Sequence, residues 1–291
     1  MTKILITGAN SYIGTSFEKW IKQWPESYSI DVIDMIDDAW KEKDFSEYDV
    51  VFHVAGIAHV DTMNASKETQ DFYYKVNRDL TIETATKAKH DGVKQFIFMS
   101  SIIVYGDSSH INKIKVIDKN TIPKPSNFYG NSKLQAEKGI KPLEDDIFKI
   151  VVLRPPMIYG KGSKGNYMKL SKYARKLPFF PNIENQRSML YIDNLCEFIR
   201  LVIDNEEHGV FYPQNLEYVK TTELVKLIAE THGKNIRFIK TFNLIIKLMS
   251  HKVELINKVF GNLVYEQSMS EYKANYRVRD FLDSIRMTEG D

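Results

Sequence analysis

Tyr129-Gly130-Asn131-Ser132-Lys133 places a phenol and an ammonium four residues apart. On a helix, positions i and i+4 share one face, so the two groups lie side by side. A cation beside a phenol favours the phenolate and lowers a pKa that is about 10 in water. Such a phenol can exchange a proton with a substrate hydroxyl while hydride moves to or from a nicotinamide. A second group suits the same chemistry. Phe98-Met99-Ser100-Ser101 ends an apolar run, and a serine hydroxyl there can hold the substrate oxygen that Tyr129 deprotonates.

That chemistry needs a dinucleotide, and the N-terminus offers a place for one. Lys3-Ile4-Leu5-Ile6-Thr7 reads as a strand, Gly8-Ala9-Asn10-Ser11-Tyr12-Ile13-Gly14 as a turn, and the spacing of Phe17, Trp20, Ile21 and Trp24 as a helix. The exposed N–H groups and positive end of such a helix suit a pyrophosphate. Gly8 serves the tight turn and Gly14 the close packing of helix on strand, while Ser11 stands where a middle glycine is usual. A next strand ends in Val32-Ile33-Asp34, which puts a carboxylate 20 residues beyond Gly14. A carboxylate there accepts from the ribose hydroxyls and repels a 2′-phosphate. No arginine follows closely and Asp37 and Asp38 add negative charge, so NAD is expected, with NADP as the alternative. Asp31 is the rival for the ribose if the strand register slips. A further apolar run ends in Val54-Ala55-Gly56, small residues that let backbone approach a cofactor.

The elements that must position these groups alternate. Strand-like runs at 3–7, 29–34, 50–55, 95–100 and 149–153 are separated by helical stretches, among them 72–90 and 129–139. This predicts an α/β fold: a Rossmann-like, doubly wound parallel sheet with helices on both faces and a smaller C-terminal substrate-binding lobe. The expected division is 1–155 with parts of 185–215 for the NAD-binding domain, and 156–184 with 216–291 for the lobe. A loop at 108–127, carrying Pro123 and Pro125, is expected to border a cleft. The segment 161–181 reads as loop plus helix, and 221–232 as an amphipathic helix.

Composition narrows the class. A net charge of +2 in 291 residues offers no global field for nucleic acid. The single cysteine, Cys196, excludes an intramolecular disulfide and sits among Leu195, Phe198 and Ile199 as a core thiol. The first strand starts almost at Met1, so no leader is expected. No apolar run reaches the ~18 residues of a membrane span. A cytoplasmic protein is the expectation.

Taken together the motifs are similar to one family. The chain resembles an extended short-chain dehydrogenase/reductase of the nucleotide-sugar epimerase/dehydratase group. The resemblance rests on Thr7 to Gly14, His53-Val54-Ala55-Gly56, Asn77 in Tyr74-Lys75-Val76-Asn77, and Ser100 to Gly106. It continues through Tyr129 to Lys133, Leu153 to Gly160, and Arg187 to Asp193, in the family's order over about residues 1–200. It implies that Ser101, Tyr129 and Lys133 are catalytic and that Asn77 positions the lysine through water. It implies that Gly8, Asn10, Ser11, Tyr12, Ile13 and Gly14 hold the pyrophosphate and Asp34 the ribose, with Pro156 and its neighbours at the nicotinamide end. Asn166 and Arg187 fall where the family contacts the substrate diphosphate, and Ser101 would also touch the sugar. A nucleotide-diphosphate sugar is the implied partner, and a homodimer paired through two helices the implied assembly.

Departures from the family pattern sort the reactions. Family 4,6-dehydratases carry an acid pair directly after the active-site hydroxyl residue, but Ile102 and Ile103 stand here and exchange no protons. UDP-galactose-type epimerases often carry lysine two residues after the Gly56 position, where this chain has Ala58 followed by His59. The expected activity is NAD-dependent 4-epimerisation of a UDP-hexose or UDP-N-acetylhexosamine through a transient 4-keto sugar. The alternative is an NAD(P)H-dependent 4-ketoreductase of a UDP-4-keto-6-deoxy sugar. A second alternative is a 4-epimerase of a polyprenyl-diphosphate-linked amino sugar, to which a peripheral membrane contact through the apolar segment 242–264, with Lys247, Lys252 and Lys258, would belong. A non-catalytic NAD(P)-binding regulator is disfavoured by the intact Ser101, Tyr129 and Lys133. Between Lys161 and Arg187 seven basic residues face one acid, Glu184, a local field suited to a diphosphate.

Overall fold

The computed structural model describes residues 1–58, 65–109, 111, 113–241, 243–250 and 254–290. The first elements are β1 (Thr2–Thr7), α1 (Tyr12–Ile21), β2 (Tyr28–Ile33), β3 (Val50–His53), α2 (Lys67–Tyr74), α3 (Leu80–His90) and β4 (Gln95–Met99). Next come β5 (Val116–Ile117), α4 (Phe128–Ile140), β6 (Lys149–Leu153), β7 (Met157–Tyr159), α5 (Asn166–Lys176), β8 (Phe179–Pro181) and β9 (Met189–Tyr191). The chain continues with α6 (Ile192–Asp204), β10 (Gly209–Phe211), α7 (Thr221–Thr231), β11 (Arg237–Ile239), α8 (Asn243–Met249), α9 (Glu254–Phe260), β12 (Val264–Tyr265) and α10 (Phe281–Glu289).

The first compact unit comprises residues 1–106, 122–155 and 195–213. Its six-stranded sheet has the order β10-β6-β4-β3-β1-β2, and every pairing is parallel. The chain runs from β1 outward to β2 and then crosses back to β3 on the other side of β1. That reversal opens a crevice at the carboxyl ends of β1 and β3, where open α/β sheets hold ligands. Alternation along each strand feeds two apolar faces. Leu5, Val51, Phe96, Phe98, Ile150 and Val152 pack with Ala85 and Ala88 of α3 and Ala136 and Ile140 of α4. On the other face Phe52 meets Phe17 of α1 edge-on, with ring centroids 5.2 Å apart. α1 reaches α6 through Trp20 Nε1, which donates to Glu197 Oε2 at 3.1 Å. Helices therefore cover both faces, as the alternation predicted, and each fully buried Leu, Ile, Val or Phe contributes roughly 1.5–3 kcal/mol. Cys196 is buried, as expected.

The helix expected over 72–90 is interrupted. α2 ends at Tyr74, a π-helical turn spans Lys75–Asp79, and α3 begins at Leu80. The strands expected at 3–7 and 149–153 end where expected, while the other three are trimmed: Asp34, Val54, Ala55 and Ser100 lie beyond their strands, in the turns that carry the site.

The second compact unit comprises residues 107–121, 156–194 and 214–290 of the described chain. Its strands pair as three short parallel ladders, β7 with β9, β8 with β11 and β5 with β12. The stretch 108–127, expected as loop, carries β5, and 161–181, expected as loop plus helix, holds α5 and then strand β8. The segment 242–264 divides into α8, α9 and β12, and Lys252 lies outside the described residues.

Candidate functional site

Gly8 to Gly14, Asp34, Ala55 with Gly56, and Ser101 follow the carboxyl ends of β1, β2, β3 and β4, while Asn77, Tyr129 and Lys133 lie on helical segments. After β1, Gly8 takes φ +100° and its N–H donates to the Ile33 carbonyl at 2.9 Å. A Cβ on Gly8 would stand 2.8 Å from the Ala55 nitrogen, so the turn presses against the end of β3. Asn10 also has a positive φ, +61°. Ser11 caps α1: its Oγ accepts from Gly14 N at 3.1 Å. That cap explains the serine in place of a middle glycine, since a hydroxyl satisfies an N–H that the helix start leaves open. A Cβ on Gly14 would meet Ser11 Oγ at 2.6 Å. Tyr12 and Ile13 open the helix, so their backbone N–H groups belong to its unpaired first turn.

Asp34 directly follows β2 and is exposed; its Oδ1 accepts from Ile36 N at 3.0 Å. Asp31 lies inside β2, opposite Leu5, and accepts from Tyr48 Oη at 2.6 Å. The register thus leaves Asp34 at the strand end and removes Asp31 from contention for a ribose. A glycine-bound helix start, a close-packed β1–β3 crevice and a carboxylate ending β2 fit an adenine dinucleotide.

The proton-handling groups gather around α4. Asn127 caps this helix through Oδ1, which accepts from Gly130 N at 2.9 Å. Gly130 lies under the Ile103 carbonyl, 2.7 Å from where a Cβ would be, which seats the helix against the turn after β4. Ser101 leads that turn, its Oγ accepting from Ile103 N at 3.3 Å, and it is hydrogen-bonded to the Tyr129 phenol. Lys133 is buried, and its Nζ donates to the Met99 carbonyl at 2.9 Å while lying 4.8 Å from the centre of the Phe98 ring. Burial lowers its pKa to about 8, against an opposing pull from Glu137.

One expectation is reversed. The Tyr129 phenol is pushed up to about 12, not down: burial dominates, Tyr73 adds to it, and only the Ser101 hydrogen bond opposes. The ammonium that was to acidify it is engaged by the Met99 carbonyl instead.

Asn77 sits in the π-helical turn and is fully buried. Its Oδ1 accepts from Ile57 N at 2.9 Å, and its Nδ2 donates to the Ile57 carbonyl at 3.1 Å and to Ser132 Oγ at 3.2 Å. A Cβ on Gly56 would lie 3.0 Å from Asn77 Oδ1 and 3.1 Å from Lys133 Nζ. Asn77 therefore clamps the segment that follows β3 and the helix that carries Lys133, by direct bonds.

Three supporting groups were given no role by the sequence, although His53 opens the His53-Val54-Ala55-Gly56 motif. Tyr73 packs edge-on against Tyr129, centroids 6.0 Å apart. His53, fully buried, lies between Thr7 Oγ1 at 2.7 Å and Thr81 Oγ1 at 3.1 Å. Glu137 is the next i+4 position after Lys133 and binds Arg154 through Nε at 3.1 Å and Nη2 at 2.6 Å. Ser100 Oγ donates to the same carboxylate. A polar residue inside an apolar run flags His53, and helical spacing flags Glu137.

The remaining candidates lie in the second unit. Pro156, buried, begins it just after β6. Asn166, exposed, is the first residue of α5. Arg187 is half-buried, which lowers its pKa to about 10; its Nη1 and Nη2 reach the Val259 carbonyl at 3.4 Å and Ser108 Oγ at 3.3 Å. Ile102 and Ile103 line the turn after Ser101, and Ala58 is exposed, while His59 lies outside the described residues.

A family model described as the NAD dependent epimerase/dehydratase family matches residues 4–212. The chain belongs to that family. It is accordingly an NAD(P)-dependent sugar-nucleotide epimerase/reductase enzyme. It is 31% identical over 280 residues to UDP-glucose 4-epimerase of Vibrio cholerae, covering 89% of this chain and 82% of that one. A second relative is N-acetyl-alpha-D-glucosaminyl-diphospho-ditrans,octacis-undecaprenol 4-epimerase of Escherichia coli O157:H7, 28% identical, with 71% of this chain and 64% of that protein covered. The fold is that of UDP-glucuronic acid 4-epimerase from Bacillus cereus in complex with NAD, at TM-score 0.72 and 18% identity, over 99% of this chain and 98% of the other. Among the described residues no helix is long and apolar enough to cross a membrane.

Proposed function

We propose that this family member is a nucleotide-sugar 4-epimerase acting on a UDP-hexose or UDP-N-acetylhexosamine. The observation that carries the reading is the hydrogen-bonded Ser101–Tyr129 pair on a helix whose next turn holds buried Lys133, all at the carboxyl end of β4. In this reading Gly8, Asn10, Ser11, Tyr12, Ile13 and Gly14 hold the pyrophosphate, Asp34 the ribose, Ala55 and Gly56 the close backbone approach, and Pro156 the nicotinamide end. Bound NAD supplies a hydride acceptor and a positively charged ring that favours a phenolate. Tyr129 Oη takes the proton of the sugar 4-hydroxyl and returns it after the 4-keto sugar has turned over. Ser101 Oγ holds the reacting oxygen. Lys133 keeps positive charge behind the phenol, and Asn77 positions it. Asn166 and Arg187 bind the diphosphate.

Ile102 and Ile103 provide no acid or base after Ser101, which argues against dehydration. The Asp34 carboxylate disfavours a 2′-phosphate and hence a reductase fed by NADPH. A lipid-linked sugar is the second reading, supported by the Escherichia coli relative and by Leu244 and Leu248 of α8, which are 69% and 67% exposed. The test is incubation with UDP-glucose, UDP-N-acetylglucosamine or the undecaprenyl-linked sugar, with no added cofactor. Appearance of a UDP-sugar 4-epimer supports the first reading. Turnover of the lipid-linked sugar alone favours the second, and keto-sugar reduction that consumes NADPH with no epimer refutes both.

A further inference from the structure

Positive charge is concentrated in the second unit. The stretches 161–183 and 231–253 together hold eleven Lys and Arg and no Asp or Glu, although the whole chain is only +2. The other residues carry 29 Lys and Arg against 38 Asp and Glu. The first stretch contains α5 and β8, and the second contains β11 and α8.

The fold joins these elements into one face. α5 turns Tyr167, Leu170, Ser171 and Ala174 inward. Its outer side is an exposed arc of Met168, Lys169, Lys172, Tyr173, Arg175 and Lys176. At the end of the helix Lys234 Nζ donates to the Arg175 carbonyl. Leu177 and Phe179 follow, and the β8–β11 ladder sets Phe179 opposite Arg237, both exposed, while Phe180 is buried. Asn243 opens α8 and donates through Nδ2 to the Asn182 carbonyl at 2.6 Å, which carries the face on to Leu244 and Leu248. Among the described residues none of Lys169, Lys172, Lys176 and Arg237 is paired with a carboxylate. The acids that reach these elements are engaged elsewhere. Glu184 pairs with Lys220 at 3.0 Å, and Glu289 Oε2 accepts from Ser171 Oγ at 2.9 Å and lies 2.8 Å from His232 Nε2.

Apolar side chains are interleaved with these cations. Met168 is 55% exposed, Tyr173 43%, Leu177 42% and Phe179 47%. Unpaired cations are complemented by anions, and exposed apolar groups by hydrocarbon. A bilayer with anionic headgroups supplies both side by side, with aromatic rings such as Tyr173 suited to the boundary. A nucleic acid supplies phosphates and stacking faces but nothing for Met168, Leu177, Leu244 and Leu248.

We propose that this face docks on an anionic lipid bilayer. The cations of α5 and β11 meet the headgroups, and Leu177 and Phe179 enter the boundary of the acyl layer, with Leu244 and Leu248 at the edge. Docking does not rest on the epimerase reading, and its failure leaves that reading intact.

The test is co-sedimentation of the full chain with vesicles of phosphatidylcholine and phosphatidylglycerol, and with vesicles of phosphatidylcholine alone. Binding is expected to the first and at least about tenfold weaker to the second. Lys169→Gln, Lys172→Gln and Lys176→Gln together should weaken it about tenfold or more with Tm unchanged, because all three positions are exposed. A second measurement leaves the cations in place. A polarity-sensitive fluorophore on Leu177→Cys, with Cys196 buried and protected from the label, should shift to the blue on the anionic vesicles. Equal binding to both vesicle types, no binding, undiminished binding by the triple variant or an unshifted fluorophore would each overturn the proposal. So would tighter binding of a DNA or RNA oligonucleotide than of the vesicles, or sedimentation showing that these lysines hold two copies of the chain together.

Discussion

At the scale of single residues the proposed site depends on a phenol that burial, with Tyr73 beside it, pushes further from ionisation. Tyr129 stands near 12 and Lys133 near 8, so at neutral pH the pair as found is phenol plus ammonium. The spacing of Tyr129 and Lys133 was legible in the sequence because i and i+4 share a helix face. The sign of the phenol's shift was not, because it depends on the depth of burial and on Tyr73, which lies more than fifty positions away in sequence. Replacing Tyr129 by Phe keeps the ring that packs on Tyr73 and removes the proton carrier. Epimer formation is expected to fall about 10²- to 10⁴-fold while the protein still co-purifies with nucleotide. Undiminished turnover would remove Tyr129 from the chemistry. Gly56→Ala probes placement: the new methyl presses on Lys133 Nζ and Asn77 Oδ1. Turnover should drop about 10- to 100-fold, and a wild-type rate would mean that Lys133 tolerates displacement.

At the scale of elements α4 carries the argument, since Tyr129, Lys133 and Glu137 recur at four-residue spacing along it. Glu137 anchors the far end by its two-point bond to Arg154, both side chains about one-tenth exposed or less. Arg154 in turn donates to Tyr105 Oη at 2.7 Å, which ties the helix to the turn after Ser101. Removing one partner of such a pair leaves a buried charge alone, at a cost of about 3–5 kcal/mol, whereas replacing both by apolar groups costs far less. Glu137→Gln should therefore unfold at clearly lower urea. The double variant Glu137→Leu with Arg154→Met should lie nearer wild type than either single change does, as a double-mutant cycle will register. Additive losses would contradict the pairing. Helix α4 was readable from sequence to within a residue at each end. The break in 72–90 was not: apolar spacing continues through it, and the π-helical turn exists because Asn77 bonds to Ile57 and Ser132, neither of them near in the chain. Most of the second unit was also unreadable, since its strands are two or three residues long and show no alternation.

At the scale of the whole molecule the first unit was legible because each of its inner strands carries an apolar run of three or four residues. A polar member of these strands, His53, sets how the unit responds to acid. Its imidazole is fully buried between Thr7 and Thr81, and burial, aided by the Lys133 charge, lowers its pKa to about 3 from 6.5. The unfolded chain takes up this proton as pH falls through 6.5, while the folded chain resists until about 3. Protons therefore bind the unfolded state preferentially across that window, and stability is lost as pH drops through it. Between pH 6.5 and 5 the loss from this one group is about 2 kcal/mol. The three tryptophans, Trp20, Trp24 and Trp40, all belong to the first unit, so their fluorescence follows its unfolding alone. Urea titrations at pH 7 and pH 5 should show the wild type losing about 2 kcal/mol more than His53→Asn, which keeps a polar group between the two threonines but has nothing to titrate. Carboxylates contribute equally to both proteins and cancel, so an identical pH response in the two would mean that the folded state accepts a charged imidazole.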